Sequence, residues 1–150
     1  MIIENKNKCI FTENFTDLFL STGLGKTKFA NSVGLKHSQI EKYLQGTIPV
    51  TNSVVKICDY FNCSIDYITG LSNTFSYPNL NKGFCPNKFY PEYERLLKLN
   101  NTNHYRLAKN NIVTETSLSL WKKGCLPKFD VLISIAYELD GSIDKMLGRI

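Results

Sequence analysis

Histidine is scarce. Of 150 residues only His37 and His104 carry an imidazole. Paired carboxylates, a glycine-rich phosphate loop and a cysteine–histidine cluster are also missing at any workable spacing, which leaves catalysis without a candidate constellation. The chain reads as a non-enzyme with no cofactor and no metal. No apolar run approaches the roughly 20 residues of a membrane-spanning helix, so no membrane partner is expected. The opening residues, Met1 to Lys8, are charged and lack the apolar stretch of a secretory signal. The five cysteines, Cys9, Cys58, Cys63, Cys85 and Cys125, are odd in number and scattered. That argues against a disulfide framework and for a reducing, cytoplasmic setting. Cys58 falls in an apolar helical stripe and reads as a small core residue. Charge of one sign does not dominate either. The net charge of +5 comes from seven lysines against six acids in residues 1–75 and eleven Lys/Arg against seven acids in residues 76–150. Such a balance permits a polyanionic partner without requiring one.

What is present is a repeat. Residues 15–72, moved along by 78 positions, fall on residues 93–150 without a gap. Ala30 lands on Ala108, Gly46 on Gly124, Pro49 on Pro127, Ile57 on Ile135 and Gly70 on Gly148. Ser64-Ile65-Asp66 lands on Ser142-Ile143-Asp144. A repeat of this length is a small domain used twice, and units of about 58 residues are marginal when alone. The boundaries that follow are an N-terminal arm over 1–14, a first domain over 15–72, a linker over 73–92 and a second domain over 93–150. The arm is either flexible or packed by Ile10 and Phe11. The linker holds Pro78, Pro86 and Pro91, but also Phe75, Tyr77, Phe84, Phe89 and Tyr90. A free linker has no need of so many aromatics, so part of it is expected to pack.

Within the first copy, apolar residues recur at helical spacing: Phe15, Leu18 and Phe19; Phe29, Ala30 and Val33; Ile40, Tyr43 and Leu44; Val54, Val55, Ile57, Cys58 and Phe61; Ile65 and Ile68. Gly23, Gly34 and Gly46 punctuate them, Pro49 stops the third helix, and Ser64 can cap the last. Short helices with a glycine turn between the second and third make a helix-turn-helix unit.

The run from Lys26 to Leu35, then Ile40, Tyr43, Gly46 and Pro49, and the stretch Ile57 to Gly70, resemble the lambda-repressor-like (XRE) helix-turn-helix family. The resemblance covers 15–72 and, more weakly, 93–150. It implies an all-α fold of two tandem five-helix lambda-repressor-like domains joined by a Pro- and aromatic-containing linker. It further implies a double-stranded DNA partner, with the third helix in the major groove and the start of the second near the backbone. By position the first copy would then offer Lys26, Lys28, Lys36, His37, Ser38, Gln39, Glu41 and Lys42. The second would offer His104, Arg106, Thr114, Glu115, Thr116, Ser119 and Lys123. The competing reading is an ordinary solvated helix face.

The second copy departs from the first. Ile112 replaces Gly34, so a positive-φ turn is unfavourable there, and Asn111 is the residue that could adopt it instead. Glu115 replaces His37, a cost near phosphate unless it reads cytosine. Leu120 replaces Lys42 and touches either a thymine methyl or another protein. Arg106, Lys109, Lys122, Lys123 and Lys128 keep the copy basic. The leading expectation is a sequence-specific transcriptional regulator, a repressor of the phage or mobile-element type. It would act either as a homodimer or as one chain with two reading heads. The alternative is a protein-binding or dimerisation module, such as an antitoxin, anti-repressor or inhibitor of a nucleoprotein complex, whose second domain takes a protein partner through Leu120.

Overall fold

Apolar side chains three and four residues apart decide which face of each segment is buried. The computed structural model describes the backbone of residues 2–150 and the side chains of residues 10–150. The described residues form ten α-helices, one 3-10 turn and no strand, so the fold is all-α. The chain divides into two compact units, the first ending at Pro78 and the second beginning at Asn79.

The first unit contains α1 (Ile2–Ser21), α2 (Lys26–Val33), α3 (His37–Leu44), α4 (Thr51–Phe61) and α5 (Ile65–Ile68). Phe11, Phe15 and Phe19 recur every fourth residue along α1 and are buried. Phe11 stacks on Phe15 with centroids 6.0 Å apart, and Phe15 meets Phe29 and Tyr43 edge-on at 6.1 and 6.0 Å. Each such ring contributes about 1.5–3 kcal/mol by burial, enough to seat α2 and α3 against α1. Gly34 ends α2 at φ 85°, and its N–H and that of Leu35 both donate to the Ala30 carbonyl at 2.9 Å. Ser64 caps α5, its Oγ accepting from the Tyr67 N–H at 2.9 Å.

The second unit contains a 3-10 turn at Pro86–Lys88, then α6 (Phe89–Leu99), α7 (His104–Lys109), α8 (Ser117–Lys122), α9 (Phe129–Leu139) and α10 (Ile143–Met146). Its aromatic centre has the same design. Phe89 stacks on Tyr93 at 5.5 Å, and Tyr93 meets Trp121 edge-on at 5.3 Å. Backbone conformation also follows the offset of 78. Positive φ occurs at Gly23 and Asn101, Gly46 and Gly124, Asn62 and Asp140, and Gly70 and Gly148. The turn after α7 is the exception. There Asn111 takes φ 62°, one residue ahead of the position equivalent to Gly34. Ile112 tolerates that conformation poorly, whereas asparagine enters it at low cost.

Two boundaries differ from the sequence-based expectation. Residues 2–14 are not a separate arm but the start of α1, and Phe11 belongs to the core. The correspondence between the units therefore begins earlier than residue 15. A Cβ on Gly70 would lie 2.5 Å from Ile10 Cγ2, and one on Gly148 would lie 2.9 Å from Lys88 Cγ, so residues 10 and 88 cover equivalent glycines. Residues 73–92 pack in part, as expected from their aromatics, but the division between the units falls within them, at Pro78 and Asn79. The Ser64 N–H donates to the Phe75 carbonyl at 2.7 Å and Tyr77 Oη donates to Asp66 Oδ2 at 2.8 Å, tying the first part to the first unit. The Asn81 and Cys85 N–H groups donate to the Arg149 and Leu147 carbonyls, each at 2.7 Å, tying the next part to the second. Cys58 and Cys63 are buried, whereas Cys85 and Cys125 are exposed. The Cys9 side chain lies outside the described residues.

Candidate nucleic-acid interface

The first unit's candidate face is built on α2, the Gly34 turn and α3. Ile40 and Tyr43 turn inward and are buried, which leaves Lys36, His37, Ser38 and Lys42 exposed on the opposite side. Gln39 does something else. Its Oε1 accepts from the Lys36 N–H at 2.9 Å and its Nε2 donates to Tyr43 Oη at 3.3 Å. Both ends of the amide are used to secure the entrance of α3, so this residue positions the helix instead of extending from it. Lys26 and Lys28 stand exposed in the first turn of α2, whose N-cap is Gly25 with no side-chain cap. Cations at a helix N-terminus oppose the helix dipole, at a cost of about 0.3–1 kcal/mol each at low salt. An anion placed there would reverse the sign of that term.

A hydrogen-bonded network links the two helices. Glu41 Oε1 lies 3.0 Å from His37 Nε2 and 3.6 Å from Lys26 Nζ. Where Nε2 donates to the carboxylate, the other ring nitrogen, Nδ1, is held 2.9 Å from Thr27 Oγ1. The His37 hydrogen bond, followed by the charges of His37 and Lys26, holds the Glu41 carboxyl below the usual carboxylate range. Lys56 is a residue the sequence reading did not single out. It reaches from α4 to donate to the Gly34 carbonyl at 3.4 Å, adding a cation beside the turn. Its only sequence signal is a polar break in the apolar stripe of α4.

The second unit arranges the same positions differently. His104 is not on the surface. It is 7% exposed, its Nε2 donates to the Thr114 carbonyl at 2.9 Å, and its Nδ1 accepts from Tyr93 Oη at 2.8 Å. Burial pushes the Tyr93 phenol well above its ordinary range, so it remains a donor to that ring. Both nitrogens are engaged inside the unit, and the expected phosphate contact from His104 is withdrawn. Thr114, Glu115 and Thr116 are exposed but precede α8, which starts at Ser117. By the offset of 78, the first two residues in the opening turn of α3, His37 and Ser38, have no helical counterpart. Ser117 replaces Gln39 and turns its Oγ back to the Thr114 carbonyl at 2.6 Å, so the cap that Gln39 gives the Lys36 N–H has no equivalent. β-Branched Thr114 and Thr116 weaken that turn further. Ser119 Oγ bonds locally to the Thr116 carbonyl at 3.1 Å. Arg106 is exposed, with Nη1 donating to the Asn101 carbonyl at 3.3 Å. Lys122 and Lys123 border an open cleft of about 260 Å³ shared with Pro86, Tyr90 and Trp121. Leu120 is 53% exposed and Tyr105 61% exposed, at the positions equivalent to Lys42 and Thr27.

Among the described residues no group of three or more His, Cys, Asp or Glu side chains is placed to hold a metal ion. Nor is any described helix long and apolar enough to cross a membrane. Comparison with protein-family models, curated proteins and solved structures finds no match to this chain.

Proposed function

We propose that the protein is a sequence-specific regulator that binds double-stranded DNA through its first unit, a lambda-repressor-like helix-turn-helix domain. In this reading the second unit is a further copy of that domain with an altered face, and repression is the expected regulatory effect. One observation carries the reading: an exposed polar face on α3 is fixed beside the uncapped, lysine-bearing start of α2. Lys42 and Ser38 would face base edges, while Lys26 and Lys28 would face phosphates. The orientation is supported by burial of Ile40 and Tyr43 on the other side of α3.

The test is selection of bound duplexes from genomic fragments, followed by affinity measurements on the best site across a salt series. Lys26→Ala and Lys28→Ala should each weaken binding to all sequences and lower the salt slope by about 0.9 per lost phosphate contact. Lys42→Ala should relax the preferred sequence at one position. No enrichment of any duplex would reject the proposal.

A second reading applies to the second unit, favoured by the exposure of Leu120 and Tyr105 where the first unit has polar residues. This face would bind protein, either another copy of the chain or a different partner. Leu120→Asp should then abolish self-association measured by sedimentation. If the face reads DNA instead, the same substitution should leave association unchanged and weaken the selected site.

A further inference from the structure

A basic DNA-facing surface does not account for the acid at its centre. Glu41 projects from α3 with a side chain 44% exposed, and a carboxylate beside phosphates weakens binding unless it has a use. Stability supplies no such use, because exposed ion pairs contribute little to folding. The geometry nevertheless holds this carboxylate carefully. His37 Nε2 donates to Oε1 at 3.0 Å from the same helix, and Lys26 Nζ approaches the same oxygen at 3.6 Å from the start of α2. His37 is in turn anchored 2.9 Å from Thr27 Oγ1. Both contacts to Glu41 fall on Oε1, so the acceptor capacity of Oε2 is left for an external donor.

An ionised carboxylate accepts hydrogen bonds and donates none. In the major groove only cytosine N4 and adenine N6 offer donors. Adenine places the acceptor N7 beside its amino group, where it repels a carboxylate, and guanine and thymine present acceptors. The base edge that suits Glu41 is therefore cytosine. We propose that Glu41 is a specificity-determining residue that reads the N4 amino group of a cytosine, with His37 and Lys26 as positioning residues. Both fix its carboxylate, and the Lys26 ammonium offsets its charge against the phosphates. The inference rests on the reading of the first unit as DNA-binding and names the base that one of its side chains selects.

The experiment is selection from random duplexes with the full chain and with Glu41→Gln, whose amide instead suits adenine N6 and N7. The wild-type motif should contain a cytosine at one position. Glu41→Gln should change that position to adenine, keep the rest of the motif, and bind the wild-type site roughly 10- to 100-fold more weakly. His37→Ala should relax the cytosine preference severalfold in the wild-type background and have no effect on that position in Glu41→Gln. A helical melt of Glu41→Gln matching wild type verifies that the variant is folded. An unchanged motif in Glu41→Gln, or equal tightening at every sequence, overturns the cytosine assignment while leaving DNA binding intact. Failure of the wild-type chain to select any duplex overturns the DNA reading, and this inference with it.

Discussion

Asp66 and Asp144 occupy equivalent places in the two units, and both are buried. A buried carboxylate requires a partner, and each unit provides a different one. Tyr77 Oη donates to Asp66 at 2.8 Å, whereas Arg149 Nε donates to Asp144 at 3.0 Å and its Nη1 donates to the Gly83 carbonyl at 2.9 Å. Arg149 is itself fully buried, at the position where the first unit has Leu71. Removing one member of a buried ion pair costs about 3–5 kcal/mol. Arg149→Leu should therefore lower unfolding stability by about that amount in denaturant titration, and Asp144→Asn in the same chain should recover part of it. Tyr77→Phe removes a single hydrogen bond to a buried acid and should cost about 1–3 kcal/mol. The shared Ser-Ile-Asp motif was legible in the sequence, but its partners were not. Tyr77 lies in a stretch with the composition of a linker, and a charged residue such as Arg149 is rarely fully buried. His104 was misplaced for a related reason. Its counterpart Lys26 is exposed, and nothing local in the sequence shows that Tyr93 and Thr114 enclose the imidazole.

Helices α3 and α8 begin differently although the surrounding apolar pattern is shared. The eight residues of α3 start at His37, secured by Gln39 and by a glycine turn, whereas the six of α8 start at Ser117. Apolar spacing locates a helix core but not its ends, which depend on individual caps. Thus Ile40 and Tyr43 were placed correctly as inward residues, while the later start of α8 went unseen. Only the substitution of Gly34 by Ile112 signalled a change, and Asn111 does take the positive φ that this substitution displaced. Losing the Gln39 cap should reproduce in α3 what the second unit shows. Gln39→Ala is expected to destabilise the first unit by about 0.5–2 kcal/mol and to increase amide exchange at the start of α3. Gln39→Glu, which keeps an acceptor for the Lys36 N–H, should preserve most of the protection. Asn111→Ala should cost the second unit about 1 kcal/mol, because alanine enters the left-handed region less readily than asparagine. The corresponding melts should show no equivalent loss for an exposed neighbour such as Asn110→Ala, whose backbone is not left-handed.

For the whole molecule, the repeat in the sequence and the two structural units agree in kind but not in their limits. The apparent linker is largely consumed by the units on either side. Ser72 and Phe75 are hydrogen-bonded into the first, and Asn81, Gly83 and Cys85 into the second, which leaves a short crossing around exposed Pro78 and Asn79. A segment that contributes bonds to a packed unit resists opening, and the crossing between two such segments is where cleavage concentrates. Limited proteolysis under native conditions should therefore nick the chain first between Tyr77 and Asn81, giving two fragments that each keep helical circular dichroism. Amide exchange should show the same division. The Ser64, Ser72, Asn81 and Cys85 amides should be protected to the extent of their own units, and the crossing should exchange rapidly. Fragments that lose their helices on separation would mean that the units stabilise each other, as their small size permits. First cleavage near residue 92, with Asn81 and Cys85 unprotected, would mean that this stretch does not pack and would remove Gly83 as a lasting partner of Arg149.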